Sequence, residues 1–329
     1  MTDSNPKPHA EAASAIARPT LMKAATYAAV AAAVAMIAMK LGAWFLTGSV
    51  AMLGSLVDSS LDAFASIINL VAVRHALVPA DKEHRFGHGK AEAIAGLGQG
   101  ALIIGSALFL LAEAVRRFID PSPVAYSGVG IGVIVISILI TLALVAFQMY
   151  VVRETKSVAI NADSLHYKGD ILMNVAVIAA LVLATYGGIW WADPLFGLLI
   201  AGFVGYAAWQ IVRQSYDQLM DRELPDDVRE QIVDQVFKHE DVLALHDMKT
   251  RASGGDYFIQ IHLELDPALN LHRAHDIADE VEGSLANLFP SAEVLIHQDP
   301  LGAVPEEYPG RVTREMALRK GGEFAAHVA

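Results

Sequence analysis

Four stretches without a charged side chain, residues 93–112, 121–152, 171–192 and 194–212, decide most of what this chain can become. Each reaches the roughly 18–20 residues that a helix needs to cross about 30 Å of hydrocarbon. Lipid offers the backbone no hydrogen-bond partners, so such stretches must be helices. Two further apolar stretches are interrupted by charge: 22–46 contains Lys40, and 50–73 contains Asp58 and Asp62. Both are long enough to span, and Lys40 stands near an end where its stem can snorkel to the interface. The sequence therefore predicts six spans, near 22–46, 50–74, 91–118, 127–151, 159–187 and 191–213. Residues 1–20 lack the features of a signal peptide and read as a disordered leader, so the first span is expected to be retained.

The charge is unevenly divided. Residues 1–213 hold 14 basic and 13 acidic side chains, while the remaining 116 hold 10 and 23, so the net charge of −12 resides in the C-terminal third. A strongly acidic soluble part argues against nucleic acid as a partner. With no cysteine, any metal must be held by nitrogen and oxygen ligands. The leader (Lys7, Arg18, Lys23), the second loop (Arg74, Lys82, Arg85, Lys90) and the fourth loop (Arg153, Lys156) are basic, whereas the first and fifth loops carry no Lys or Arg. This bias puts both termini in the cytoplasm.

After Asp221 the pattern changes. Val228, Ile232, Val233, Val236 and Phe237 form one helical stripe behind Asp226 as N-cap. Two strands flank a Ser-Gly-Gly turn, the second setting Ile259, Ile261 and Leu263 against Gln260, His262 and Glu264. A helix over 271–289 and the strand AEVLIHQ complete a small α+β domain. The expected division is a leader at 1–20, a membrane α-helical domain of six transmembrane helices at 21–214, the α+β domain at 215–300 and a disordered tail at 301–329.

Asp58 and Asp62 are four residues apart and share one helix face. A carboxylate at mid-membrane costs about 2.5–3.5 kcal/mol on insertion scales, so two on one face need a reason. His166 and Asp170 repeat the spacing at the start of the fifth span. Together the pairs offer three carboxylates and one imidazole, a closed four-coordinate set for a borderline ion such as zinc, and a poor set for calcium or magnesium. Asp163, a turn before His166, reads as a helix-start residue. Asp81, His84 and His88 form a second cluster in the loop PADKEHRFGHGKAE, although basic cytoplasmic loops also carry solvated histidines.

Through LVDSSLD, PADKEHRFGHGKAE, ADSLHYKGD, LMDRELPDD and VLIHQDP the chain resembles the bacterial cation diffusion facilitators, and is similar in particular to their ferrous-iron and zinc efflux subfamily. The resemblance runs from about residue 22 to 300. It implies a homodimer with six membrane helices per subunit and a cytoplasmic metallochaperone-like domain, exchanging a divalent metal for protons across the bacterial inner membrane. It implies a transport site at Asp58, Asp62, His166 and Asp170, and a loop metal site at Asp81, His84 and His88. It further implies a binuclear cytoplasmic site at His246, His262, His275, His297 and Asp299, with Gln298 contributing by backbone or side chain. Lys90 and Asp221 match the family's dimer charge interlock, while His75, His239 and His272 match no role. Zinc is then expected both as substrate and as a regulatory or structural ion, with Fe(II) and Cd(II) as further cargo and no organic cofactor. The rival readings are an intramembrane metallohydrolase and a membrane-tethered metal sensor. The first suffers from the lack of an HExxH motif and of a separate base.

Overall fold

The computed structural model describes residues 8–47, 50–120, 128–187 and 191–318. Two compact units divide the chain, one formed by Arg18–Asp217 and one containing the residues from Gln218 onward.

The first unit is built from α1 (Pro8–Thr47), α2 (Val50–Ala76), α3 (Lys90–Ile119), α4 (Gly128–Thr155), α5 (Val158–Gly187) and α6 (Ala192–Leu219). The backbone is helical from Pro8, so the part of the expected disordered leader over 8–20 is helix instead. Its alanines and Glu11 are strong helix formers, which a disorder reading from Pro, Ser and mixed charge underweights. Residues 1–7 and the loop centres at 48–49, 121–127 and 188–190 lie outside the described residues. Among the described residues, α1, α3, α4 and α6 contain segments long and apolar enough to cross a membrane. The helices α2 and α5 are of matching length, 27 and 30 residues.

Helix α5 is the hub of this unit. Val158, Ala162 and Leu165 pack with Ile103 of α3 and with Ile200, Val204, Ala208 and Ile211 of α6. Ala159 and Ile160 meet Met22 and Ala25 of α1, Val73 of α2 and Val151 of α4. Tyr167 packs with Ala29 and Met36 of α1 and Leu144 of α4. Helices α3 and α6 approach closely at Gly96 and Gly100. A Cβ on Gly100 would stand 2.7 Å from Val212 Cγ2, and one on Gly96 would stand 2.6 Å from Ser215 Oγ, whereas one on Gly105 would meet nothing within 4 Å. In lipid, small residues let helix backbones come close enough for dispersion to hold them. Gly100→Val is therefore expected to lower the detergent-solubilised protein's stability by about 1–3 kcal/mol through overpacking. In the same thermal unfolding measurement Gly105→Ala should be neutral or stabilising.

The second unit comprises α7 (Asp226–Val236), β1 (Ala244–Ser253), β2 (Asp256–Leu265), α8 (Leu271–Leu288), β3 (Ala292–Pro300), β4 (Val312–Thr313) and α9 (Arg314–Leu318). The sheet order is β3-β2-β1-β4, with β2 and β3 parallel and the other neighbours antiparallel. Gly254, at φ 61°, supplies the left-handed residue that the tight β1–β2 turn requires. The predicted stripes of α7 (Ile232, Val233 and Val236) and β2 (Ile259, Ile261 and Leu263) face the core, where Ile277, Val281 and Leu285 of α8 meet them. Asp226 is the first helical residue and not the N-cap; Pro225 occupies that position, and the Asp226 carboxylate accepts from Arg229.

The expected disordered tail is corrected over residues 301–318. Val312 and Thr313 pair with Leu245 and Ala244 at the β1 edge, and Val312 and Ala317 enter the core. Proline, glycine and charge suggested solvation, but two well-placed apolar residues and a free strand edge suffice to dock the segment. Residues 319–329 lie outside the described residues.

Candidate metal centres

In the helical unit, α2 and α5 bring together Asp62, His166 and Asp170, each offering a ligand atom within 4.8 Å of the others. His166 Nε2 lies 2.8 Å from Asp62 Oδ1, within hydrogen-bond range, and 3.8 Å from Asp170 Oδ2. The i, i+4 spacing on α5 sets His166 and Asp170 on one face, and α5's central position turns that face toward α2. Asp58 stands one turn before Asp62 on α2; its side chain lies outside the described residues.

One turn N-terminal to His166 the structure departs from expectation. Asp163 is not at the helix start but in the second turn of α5, and it is 1% exposed. Its Oδ1 accepts from Gln99 Nε2 of α3 at 3.1 Å and from Ser66 Oγ of α2 at 3.5 Å. Its Oδ2 accepts from Gln148 Nε2 of α4 at 2.6 Å. Ser66 Oγ lies 2.9 Å from the Tyr167 hydroxyl. A carboxylate in an apolar bundle survives only when donors surround it, and here three other helices supply them. The available signal was Gln99 and Gln148, uncharged polar residues inside otherwise apolar windows.

The loop cluster also assembles. Asp81 Oδ1 accepts from the backbone N–H groups of His84 at 2.6 Å and Glu83 at 2.9 Å. The His84 backbone N–H, chiefly, holds the Asp81 carboxyl below the usual carboxylate range. His84 Nδ1 and His88 Nε2 each lie 3.4 Å from Asp81 oxygens. His88 Nδ1 faces the Val78 carbonyl at 3.2 Å, which fixes the ring and leaves Nε2 toward the cluster. His75, which the family pattern leaves without a role, packs its ring edge against His88 at 4.6 Å.

In the α+β unit the sheet register does the assembling. His246 pairs with His262 across β1 and β2, and His262 with His297 across β2 and β3, so three histidines form a row. His262 Nδ1 lies 2.8 Å from Asp299 Oδ2, His246 Nε2 lies 3.4 Å from the same oxygen, and His297 Nε2 lies 3.4 Å from Oδ1. His246, His262 and Asp299 present ligand atoms within 4.8 Å of one another. Strand alternation turns the Gln298 side chain to the opposite face, with the core-packed Val294 and Ile296. His275 is on α8, largely exposed, and faces Asp279 of its own helix at 3.5 Å; it does not join the row. A register shift follows His246, where Asp247 takes φ 47°. Such bulges re-aim neighbouring side chains.

Sequence reasoning missed Glu264. Alternation placed it on the exposed face with His262, yet no surface of it is exposed. Arg311 donates to both its oxygens, at 2.7 and 2.9 Å. Burial alone would push the Glu264 carboxyl up, but the Arg311 guanidinium overrides it and holds the group below its ordinary value. Asp221, half of the expected interlock, lies 3.2 Å from Arg251 of its own unit.

Comparisons with known proteins bear on both units. The profile of the cation efflux transmembrane domain matches residues 26–220, and that of the cation efflux protein cytoplasmic domain matches residues 224–301. A cation-efflux pump FieF from Serratia proteamaculans is 47% identical over 291 residues, spanning 88% of this chain and 97% of its own. FieF of Salmonella choleraesuis is 48% identical over 289 residues, spanning 87% of this chain and 95% of its own. A solved chain from work on the mode of action of CzrB, in its Zn form, is 31% identical, with a TM-score of 0.24, and spans 26% of this chain and 99% of its own.

Proposed function

Since the chain belongs to the cation efflux family and is a multi-pass divalent-metal efflux transporter, we propose that it exports Zn(II), with Fe(II) and Cd(II) as further cargo, in exchange for protons. The observation that carries this reading is the convergence of Asp62, His166 and Asp170 from two helices inside an apolar domain. Asp58, on the same α2 face, completes the four-ligand set in this proposal.

Protons and metal compete by simple chemistry. The 2.8 Å contact between His166 Nε2 and Asp62 is a hydrogen bond, which needs a proton on one of the two atoms. A divalent ion needs the same nitrogen lone pair and the same carboxylate, so metal binding releases protons and acid discharges the metal. A site that opens alternately inward and outward then converts a proton gradient into metal export, provided that ion and proton differ in affinity for the two states. Raw affinity favours zinc over ferrous iron, and cellular availability decides which ion fills the site.

In this reading six helices span a bacterial inner membrane with both termini cytoplasmic, and the subunits form a homodimer braced by Lys90 and Asp221. The loop and cytoplasmic clusters hold zinc as structural or regulatory ions, with no organic cofactor. The acidic unit raises the local cation concentration. The metallohydrolase reading falls because the relatives are efflux pumps. The sensor reading is separated by deleting residues 222–329, which should leave residual flux in a transporter.

The direct test reconstitutes the protein in vesicles with an acidic lumen and follows zinc entry with a fluorescent indicator. Entry should rise with the pH difference and collapse when it is dissipated. Zinc entry indifferent to the gradient would refute proton exchange.

A further inference from the structure

The family's cytoplasmic profile ends at residue 301, yet the next seventeen residues are built into the domain beside its histidine row. Val312 is fully buried and, with Thr313, extends the sheet along β1, the strand that carries His246. Arg314 donates to the carbonyls of Val242 and His239. These contacts place Arg311 against Glu264, to which it gives two parallel hydrogen bonds. The Tyr308 ring meets the His246 ring edge-on at 5.5 Å, and its hydroxyl donates to Asp247 at 3.3 Å.

Glu264 in turn faces His246. Its Oε1 lies 3.3 Å from His246 Nδ1, a buried nitrogen that makes no aligned hydrogen bond among the described residues. The other nitrogen, Nε2, faces Asp299. A carboxylate on the far side of a histidine favours the tautomer with its proton on that side, leaving the opposite lone pair for a cation. Glu264 can do this only if its carboxylate plane is fixed inside the protein, and the two parallel hydrogen bonds from Arg311 fix it. A lysine would give one point contact and no fixed plane.

We propose that residues 308–314 form a strap that positions His246 for metal through the relay Arg311–Glu264–His246, so that the affinity of the cytoplasmic site is set partly from outside the family's shared domain. The proposal rests on the reading of His246, His262 and Asp299 as a metal site. Arg311 and Glu264 are positioning residues and touch no metal. Losing such an outer group typically weakens metal binding about 10–100-fold.

The test uses the full-length protein in detergent, in a background of Asp62→Asn and His84→Ala that disables the other two candidate sites. Zinc occupancy is read against chelator-buffered free zinc. Arg311→Gln and Glu264→Gln should each weaken binding within about 10–100-fold, and Arg311→Lys should recover part of the loss. Val312→Ala loosens the strap without touching the relay, so it should cost thermal stability with a smaller change in zinc affinity. Equal weakening by Val312→Ala and Arg311→Gln at equal loss of thermal midpoint would overturn the relay in favour of plain stabilisation. Should Arg311→Gln fail to fold, Glu264→Gln carries the same comparison. If His246→Ala abolishes binding while Arg311→Gln and Glu264→Gln leave it intact, the strap proposal alone is overturned. If His246→Ala also leaves binding intact, the metal-site reading falls and the strap with it.

Discussion

Zinc flux driven by a pH gradient is expected to fall to the level of protein-free vesicles when Asp62 is replaced by alanine. Among the described residues, Asp62 is the group of α2 that reaches His166, at 2.8 Å, and its carboxylate offers both charge and a candidate ligand atom. Groups that merely orient a ligand are worth about 10–100-fold in affinity, and loss of a ligand from the proposed four-member set should exceed that. Asp62→Asn keeps size and hydrogen bonding but removes the charge, so it should also fail to transport while matching the parent in thermal stability. Asp170→Ala should behave likewise. Asp62→Ala strands His166 Nε2 without its 2.8 Å partner, so it should cost about 1–3 kcal/mol in thermal unfolding, and Asp62→Asn supplies the comparison at parent-like stability. Undiminished flux in a well-folded Asp62→Ala protein would place the transport site elsewhere.

The second large effect is on stability. Asp163→Ala should destabilise the helical unit by about 2–6 kcal/mol, because it strands the buried amide donors of Gln99 and Gln148, at about 1–3 kcal/mol each. Asp163→Asn keeps the shape and one acceptor oxygen, so its cost should be the smaller part of that. The measurement is thermal or denaturant unfolding of the detergent-solubilised protein followed by far-ultraviolet circular dichroism. The two variants should differ, and a double replacement with Gln99→Leu should cost less than the sum of the singles, since both act through one hydrogen bond. Additive losses would mean that the contact of 3.1 Å between Gln99 and Asp163 contributes nothing. The network joins α2, α3, α4 and α5, so transport should also slow in Asp163→Ala, as a consequence of looser helix packing around His166.

Much of the molecule was legible before folding was considered. Among the described residues, three of the four charge-free windows fall in helices long and apolar enough to cross a membrane, α3, α4 and α6, because hydrocarbon excludes charge whatever the tertiary arrangement. The pairs Asp58/Asp62 and His166/Asp170 were legible because a helix puts i and i+4 on one face in any fold. The core of the α+β unit followed from periods of 3.6 and 2 in α7 and β2. Glu264 broke the last pattern: alternation gave its face correctly, but a distant segment covered it.

What the sequence determined by itself was therefore every property set by spacing along one element: which helices are apolar, which side chains share a face, where the acidic charge resides. What only the tertiary structure decided was every property set by contact between elements. The histidine row depends on the registers of β1, β2 and β3, since a one-residue slip would turn each side chain to the other face. The exclusion of His275 from that row depends on where α8 packs. The donors around Asp163 come from three separate helices, and the docking of 301–318 depends on an edge of β1 that local composition cannot reveal. Local geometry is fixed by covalent periodicity, whereas long-range contact is fixed by which buried surfaces fit, and that selection occurs only when the whole chain packs.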